Sequence, residues 1–489
     1  MKPIYPLMGA AAFCSLSVQA QEKPNFLIIQ CDHLTQRVVG AYGETQGCTP
    51  AIDRVAEQGV MFANAYVGCP LSQPSRAALW SGLMPHQTNI RSNSDVAINP
   101  MLPESVPTLG SLFSADGYDA VHFGKTHDMG ALRGFKHKEP VPQPFSDPEF
   151  PVNNDSFLDV GTCQDAVSYL SNPPQEPFIC IADFQNPHNI CGYVGSCQGV
   201  HTDAPISTPL PALPDNFEVT DWNQIPQPVQ YICCSHRRMT QAAPWSDENY
   251  RHYIAAFQHY TKMVSKQVER VLQALYSTPA GRNTIVIIMA DHGDGMASHR
   301  MVTKQISFYE EITNVPFIIA GPGIKQQKKP VEKLLTQPTT DLLPTLCELA
   351  GITVPSDKPG ISLVPTLKGK KQSATHPYVV SEWHSEYETI VSPGRMIRSD
   401  RYKYTHYLEG NGEELYDLKT DKGEQRNLAK DPKYSRVLAE HRAMLDDYIV
   451  RTGDDYRTLK VAADKQWRSH TPGYPSHKGP GARDINNRK

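Results

Sequence analysis

The feature that most constrains the fold is a series of short, almost wholly apolar runs, each bounded by turn residues and separated by amphipathic stretches. Such runs are typical of strands buried on both faces of a sheet that helices cover on each side. They predict strands at residues 26–29, 120–123, 178–182, 285–289 and 316–319. Helical periodicity predicts helices at residues 52–57, 76–80, 253–276 and 342–349. We therefore expect an α/β fold with a large sheet sandwiched by helices.

The chain also has room for a second, smaller unit, because it has 489 residues of which 39% are hydrophobic. Residues 1–20, a lysine and an apolar stretch ending in a small residue, predict a signal peptide and hence export. We expect the main domain at 21–372. Beyond a basic linker, strands at 378–382, 396–399 and 402–406 and a helix at 434–448 predict an α+β subdomain at 373–489, with a loosely held tail after Trp467.

The overall charge argues against two classes of partner. The formal net charge is only -4, so no global field favours nucleic acid or an anionic membrane. After residue 20, no segment approaches the length of apolar sequence that a membrane helix needs. Any selectivity for anions must therefore be local.

Polar side chains directly follow four of the predicted strands. In open α/β sheets the ligand site lies at the carboxyl ends of the strands, so these side chains are expected at one edge. Each of them alone is more often a satisfied core or surface group, and it is their joint placement that indicates a site. They are Asp32 and His33, Lys125 and His127, His188, and Asp291 and His292.

The mixture of carboxylates and cations indicates what this edge binds. Asp32 and Asp291 offer the hard oxygen ligands that Ca²⁺ or Mg²⁺ prefers. Lysines and histidines can surround a sulfate or phosphate through charge-assisted hydrogen bonds. The candidates for this role are Lys125, His127, His188 and Lys304. Such a site favours an anionic ester over a neutral amide.

A candidate nucleophile lies in the segment from Ser72 to Gly82. Pro74 suits a first helical position, and a helix at 76–80 leaves Ser72 at its N-terminus, where the helix dipole favours negative charge. The alternative interpretation is an ordinary capped helix start, for which Ser and Pro are common.

The same segment resembles the signature of the type I sulfatases, in which a Cys or Ser is converted to formylglycine. Ser72, Pro74 and Arg76 have the spacing of that signature, whereas a reading from Cys69 lacks the Pro and the Arg. Similar motifs run through the chain in order. They lie at 49–53, 124–127, 187–188, 290–293, 304–311, 340–345, 360–363, 397–403 and 414–418.

This resemblance implies an alkaline-phosphatase-like fold, with a large mixed sheet sandwiched by helices and a smaller C-terminal α+β subdomain of an antiparallel sheet plus a helix. It implies one Ca²⁺ held by Asp32, Asp291, His292 and the modified Ser72. Arg76 would steady the formylglycine, His127 would act on its hydrate, and Lys125, His188 and Lys304 would bind sulfate. His33 departs from the family, which commonly has a second Asp or an amide there, and imidazole is a poor Ca²⁺ ligand. His33 is therefore a ligand, a residue that only lines the site, or a sign of another metal.

The modification has a chemical reason. An aldehyde hydrate carries two hydroxyls on one carbon, so one can attack sulfur and the other can then collapse to expel sulfate, an exit that plain Ser72 lacks. His188 or Lys304 would protonate the leaving alkoxide. Ser in place of Cys resembles bacterial sulfatases that an anaerobic radical-type maturating enzyme modifies before export. We therefore expect a periplasmic or cell-surface bacterial enzyme.

The expected substrate is a sulfated carbohydrate of a glycosaminoglycan or mucin-type glycan, with an amino sugar as one candidate. His384 and Glu386 are candidate sugar-binding residues, although a solvated loop is an equally good interpretation of their segment. Two alternatives to a sulfatase remain open. One is a phosphodiesterase or phosphonate monoester hydrolase of the same superfamily, and the other is a catalytically dead glycan-binding relative, suggested by His33.

Overall fold

The structure is a computed structural model, and it describes most of the chain. The described residues are 23–93, 99–141, 156–197, 209–219, 221, 224–230, 242, 245–304, 307–384, 392–408 and 412–459. The predicted signal peptide at 1–20 and the predicted loose tail after Trp467 lie outside these residues.

Among the described residues, eight strands form one large sheet. In chain order they are β1 (Asn25–Cys31), β2 (Gly59–Ala65), β3 (Asp119–Gly124), β4 (Lys136–Lys138), β5 (Phe178–Phe184), β6 (Thr284–Met289), β7 (Phe317–Ala320) and β8 (Val331–Thr336). Their spatial order is β4-β3-β5-β1-β6-β7-β2-β8. Only β7 pairs antiparallel with its neighbours, so the sheet is mixed, as predicted.

All five strands expected in this sheet are confirmed, with small differences at their ends. Strands β1, β5 and β6 are wholly buried, which explains why their sequences read as continuous apolar runs. Strands β2, β4 and β8 were not anticipated. Exposed polar residues interrupt β8, and β4 is exposed throughout, so neither carries an apolar run.

Helices cover both faces of the large sheet, and the sheet divides the buried apolar side chains into two clusters. They are α1 (Pro50–Ala56), α2 (Ser72–Ser81), α3 (Pro85–Thr88), α4 (Leu109–Ala115), α5 (Ser156–Ser171), α6 (Ile190–Cys197), α7 (Asp247–Tyr276), α8 (Glu310–Thr313), α9 (Pro338–Ala350) and α10 (Val364–Leu367). None of the described helices combines the length and the apolar character that crossing a membrane requires.

One expectation about α2 is wrong. The helix begins at Ser72, so Pro74 is its third residue and not its first. The geometry tolerates this, because the N–H groups of the first turn have no partner four residues earlier and a proline there removes no helical hydrogen bond.

A second, antiparallel sheet follows the large one along the chain. Its order is β12-β11-β10-β9, formed by β9 (Val379–Trp383), β10 (Gly394–Arg398), β11 (Tyr402–Tyr407) and β12 (Glu413–Asp417). Helix α11 (Ser435–Thr452) packs against it around Ile397, Leu415 and Leu445. The sheet and its helix confirm the predicted architecture of this region, whereas the domain boundary at residue 372 stays a prediction.

Candidate active site

Four neighbouring strands bring the candidate residues to one edge of the large sheet. Strands β3, β5, β1 and β6 lie side by side and run parallel, so their carboxyl ends share that edge. Asp32, Lys125 and Asp291 each follow one of these strands within two residues. Helix α2 begins at the same edge, because the Ser75 hydroxyl donates to the Asp291 carbonyl over 2.6 Å.

Ser72 is buried between a histidine and a lysine. Its Oγ lies 2.8 Å from His292 Nε2, and Lys304 Nζ donates to the same oxygen over 2.8 Å. His292 Nδ1 lies 2.9 Å from the Gly293 carbonyl, which can only accept, so the proton of the neutral ring belongs on Nδ1. The His292 Nε2 lone pair therefore faces Ser72. Burial lowers the pKa of His292 to about 4, which favours this neutral form.

Arg76 binds carboxylates from three strand ends. Its Nε donates to Asp291 Oδ2 over 2.8 Å, its Nη1 to Asp183 Oδ2 over 2.6 Å, and its Nη2 to Asp32 Oδ2 over 3.4 Å. Among the described residues, no hydrogen bond joins Arg76 to Ser72. The guanidinium is directed at the carboxylates, and the expected role of Arg76 in steadying the formylglycine stays a prediction.

Lysine and histidine side chains complete the edge. Lys125 Nζ contacts Asp32 Oδ2. Burial alone would raise the pKa of Asp32, but Lys125, together with Lys304 and Arg76, outweighs it and holds that pKa well below its ordinary value. Burial and the nearby Lys125 lower the pKa of both His188 and His127, that of His127 to about 3. Both rings are therefore neutral near pH 7 in this structure.

His33 lies within the same group of side chains. Its ring contacts the rings of His188 and His292, with centroids 4.8 and 4.5 Å away. Its Nδ1 lies 3.4 Å from Asp294 Oδ2, and its Nε2 lies 3.9 Å from Asp32 Oδ1. Burial lowers the pKa of His33 well below its ordinary value, so this ring too is neutral.

The arrangement fits a cation. One ligand atom from each of Asp32, His33 and His292 lies within 4.8 Å of the others. Within the described part of the chain, Asp32 Oδ1 and both ring nitrogens of His33 are buried without a hydrogen-bond partner. Buried polar atoms are seldom left unpaired, and a bound ion is one explanation for a group of them. The donor set, one carboxylate with two imidazoles, is suited to a divalent metal.

Lys304 ends a segment, residues 294–304, with an unusual backbone. Its left-handed non-glycine residues are Met296, Ala297, His299, Arg300 and Thr303, with φ between 43° and 68°. Each such residue costs roughly 1–2 kcal/mol, so the surrounding contacts must offset the strain. Strain of this kind is concentrated at functional sites.

Sequence reasoning missed two carboxylates of the site. Asp183 pairs with Arg76, and it is a buried polar residue inside the otherwise apolar β5, a signal that was available. Asp294 faces His33, and it comes three residues after Asp291 in the same motif. Neither is adjacent in sequence to the group that it contacts.

The candidate sugar-binding residues fare differently. His384 is buried, and its Nε2 accepts from Arg395 Nη2 over 2.9 Å, so it does not lie in a solvated loop. No described contact joins it to the side chains around Ser72. Glu386 lies outside the described residues.

Comparisons with known proteins place this geometry in a family. The family model described as Sulfatase matches residues 24–352, and that described as N-sulphoglucosamine sulphohydrolase, C-terminal, matches residues 297–451. The chain is 80% identical to the Delta 4,5-hexuronate-2-O-sulfatase of Bacteroides thetaiotaomicron, over 98% of this chain and 99% of that protein.

Solved structures agree with this. A 2-O GAG sulfatase structure is 80% identical, with a TM-score of 0.91, covering 95% of this chain and 100% of that one. A phosphonate monoester hydrolase of Agrobacterium radiobacter has a TM-score of 0.69 at 21% identity, covering 91% and 99%, a likeness that shows the fold alone. The chain therefore belongs to the sulfatase family and is a sulfuric ester hydrolase of the alkaline-phosphatase-like fold.

Proposed function

We propose that this enzyme removes the 2-O-sulfate from a Δ4,5-unsaturated hexuronate in glycosaminoglycan fragments. The observation that carries the proposal is the 80% identity, over 98% of the chain, to a sulfatase named for that sugar and that position. This similarity favours a hexuronate over the amino sugar that the sequence motifs suggested.

Ser72 is the residue that we propose as the nucleophile precursor, oxidised to formylglycine. The modified side chain supplies, when present, a hydroxyl nucleophile with a second hydroxyl on the same carbon. The supporting observation is that Ser72 Oγ lies within 2.8 Å of both Lys304 Nζ and His292 Nε2. Lys304 can thus hold negative charge at this oxygen, and the His292 Nε2 lone pair beside it is available as a ligand for the cation proposed below. The maturation partner that we propose is the anaerobic radical-type enzyme expected for a Ser-type sulfatase.

Calcium is the ion that we propose, held by Asp32, Asp291, His292 and the modified residue 72. His33 is a further donor, because its ring nitrogens are buried without a hydrogen-bond partner and one of them lies within 4.8 Å of ligand atoms of Asp32 and His292. The ion would withdraw charge from the sulfate oxygens. Arg76 supports the set indirectly, because it holds Asp32, Asp183 and Asp291 together.

Lys125, His188, His127 and Lys304 are the proposed sulfate-binding and proton-transfer groups. A sulfate ester is an anion and so needs fixed positive charge, which Lys125, after β3, and Lys304, after β6, can supply. His188 is held in place through a 3.1 Å contact between its Nδ1 and the Gln185 side chain. That contact leaves His188 Nε2 for the leaving oxygen.

The test of the proposed function is a panel of defined unsaturated disaccharides, assayed by release of free sulfate. We expect the 2-O-sulfated hexuronate to be cleaved, and disaccharides carrying only 6-O- or N-sulfate on the glucosamine to be left intact. The matched saturated 2-O-sulfated disaccharide tests whether the Δ4,5 double bond matters. Sulfate release from the glucosamine positions alone would contradict the proposal.

The same assay, with a phosphate diester added as a substrate, separates the two alternatives to a sulfatase. The phosphonate monoester hydrolase shares the fold with this chain, and no further observation favours that activity. A catalytically dead glycan-binding protein would release no sulfate from any member of the panel. Export to the periplasm or cell surface, and a sugar-binding role for His384 and Glu386, stay predictions.

A further inference from the structure

The Tyr253 hydroxyl makes two hydrogen bonds to the segment that carries Lys304. Tyr253 lies in α7 and is wholly buried. Its hydroxyl accepts from the Thr303 backbone N–H over 2.8 Å and donates to Asp294 Oδ1 over 2.5 Å. A single atom from a distant helix therefore joins the start of the segment to the residue before Lys304.

The position of these bonds matters because the segment between them is strained. Thr303 has φ of 60°, and the backbone before it passes through several other left-handed residues. Such a backbone persists only where surrounding contacts fix it. The hydrogen bond at Thr303 acts one residue from Lys304, whose Nζ must reach Ser72 Oγ at 2.8 Å.

The other bond acts toward the metal-binding side of the site. Asp294 Oδ1 accepts from the Tyr253 hydroxyl and from the Met296 backbone N–H, at 2.5 and 2.9 Å. Its other oxygen, Oδ2, lies 3.4 Å from His33 Nδ1. The direction of the Asp294 carboxylate, which lies beside the His33 ring, thus depends on the Tyr253 hydroxyl.

We propose that Tyr253 is a positioning residue, whose hydroxyl holds Lys304 in place for binding the sulfate group. It does not touch substrate. The inference rests on the proposed role of Lys304 as a sulfate-binding residue. No sequence signal pointed to Tyr253, which reads as one more core aromatic residue of an amphipathic helix.

Tyr250 offers a matched control on the same helix. It is also buried, its hydroxyl also bonds the same segment, at the Arg300 carbonyl over 3.2 Å, and both tyrosine rings contact Trp245. It differs in that its bond to Arg300 acts four residues before Lys304, whereas the bond of Tyr253 to Thr303 acts at the residue next to Lys304. Phenylalanine at either position keeps the ring and removes one buried hydroxyl. Both variants therefore carry the general loss of stability that removing such a hydroxyl causes.

The experiment compares Tyr253→Phe with Tyr250→Phe in the whole protein. Binding of inorganic sulfate is measured by titration calorimetry. The values of kcat and KM are measured on the 2-O-sulfated unsaturated disaccharide, and the melting temperature is measured by scanning calorimetry. Loss of a group that orients binding residues costs about 10- to 100-fold in affinity or activity. We expect this loss in sulfate affinity and in kcat for Tyr253→Phe, with a melting temperature similar to that of Tyr250→Phe.

Two results would overturn the inference: Tyr253→Phe that binds sulfate and turns over like the unmutated protein, or Tyr250→Phe that loses as much. Failure of the proposed function has a different signature, because the unmutated protein would then release no sulfate from the disaccharide. Inorganic sulfate binding still decides the role of Tyr253 in that case, since it needs no turnover.

Discussion

Two arginines, Arg76 and Arg395, are both completely buried, yet their surroundings differ in the balance of donors and acceptors. Arg76 faces three carboxylates, and Asp32 Oδ1 and Asp183 Oδ1 are left without a hydrogen bond among the described residues. The acceptors around Arg76 therefore outnumber what one guanidinium can satisfy. Such a surplus is what a bound cation would use. Arg76, its three carboxylates and the adjoining Ser72 and His292 are called the open cluster below.

By comparison, Arg395 has a closed environment, and Arg395, Asp454 and His384 are called the closed cluster below. It pairs with a single carboxylate, that of Asp454, through two bonds of 2.7 and 2.8 Å. Its remaining donors go to the carbonyls of Trp383 and Gly394 and to the ring of His384. The comparison teaches that burial of an arginine does not mark a site, whereas the unmatched oxygens beside it do.

Ser72→Ala gives the largest expected effect, and it acts only on the open cluster. Sulfate release should fall by about a thousandfold or more, because the nucleophile precursor is gone. The control is Ser81→Ala at the other end of α2, whose hydroxyl only donates to backbone carbonyls of its own helix. Ser72→Ala with near-normal turnover would show that the open cluster is not the active site.

Arg395→Met should destabilise the fold by about 3–5 kcal/mol, because it leaves Asp454 buried and uncompensated. Urea unfolding at fixed pH measures this. The matched control is Arg451→Met, an exposed arginine whose pairing with Asp447 is worth less than about 1 kcal/mol. Equal losses in the two variants would mean that the closed cluster does not stabilise the second sheet.

Glu414 lies in β12, in the same antiparallel sheet as Arg395, and tests that sheet through pH. It receives two tyrosine hydroxyls, from Tyr309 and Tyr416, and burial raises its pKa from 4.5 to about 7. A raised carboxyl pKa gives stability that is full below the unfolded pKa and is lost as pH rises through the folded one. The unmutated protein should therefore lose roughly 2–3 kcal/mol between pH 4.5 and 7, relative to Glu414→Gln.

The measurement is the free energy of unfolding of both proteins across this pH range. The amide of Glu414→Gln can still accept both tyrosine hydroxyls but does not titrate. The difference in free energy of unfolding between the two proteins therefore cancels the contributions of other titrating groups, such as Glu424. Parallel pH profiles for the two proteins would contradict a raised pKa at Glu414.

Arg76→Met combined with calcium gives the smallest effect and the sharpest contrast. The variant exposes three carboxylates to one another, and a bound cation can offset part of the repulsion. We expect calcium to restore about 1–3 kcal/mol to Arg76→Met, compared with the same protein in a chelator. In Arg395→Met, calcium should raise the free energy of unfolding by no more than it does in the unmutated protein. Equal responses of Arg76→Met and Arg395→Met to calcium would contradict the difference between the two clusters.

The sequence predicted the site best where the chain direction fixes a position. Asp32, Lys125 and Asp291 follow apolar runs, and the carboxyl ends of adjacent parallel strands must meet at one edge. The signature at Ser72 added the nucleophile. These signals are local, so a single sequence can carry them.

What could not be predicted depends on pairings between distant segments. Tyr253 reaches Asp294 from helix α7, and Arg395 in β10 meets Asp454, which follows α11. In sequence these residues look like ordinary core or surface positions. Strand β8 was missed for a related reason, since its pairing with β2 is irregular and partly exposed.

The central claim is that an oxidised residue 72 is the nucleophile of this cluster. It is tested most directly by measuring turnover of the 2-O-sulfated disaccharide in preparations that differ in formylglycine content, made with and without a maturating enzyme and quantified by mass spectrometry of the Ser72 peptide. The account predicts that turnover rises in proportion to the fraction of the peptide lighter by two hydrogens and extrapolates to zero without it. Full turnover by protein that carries only unmodified Ser72 would contradict it.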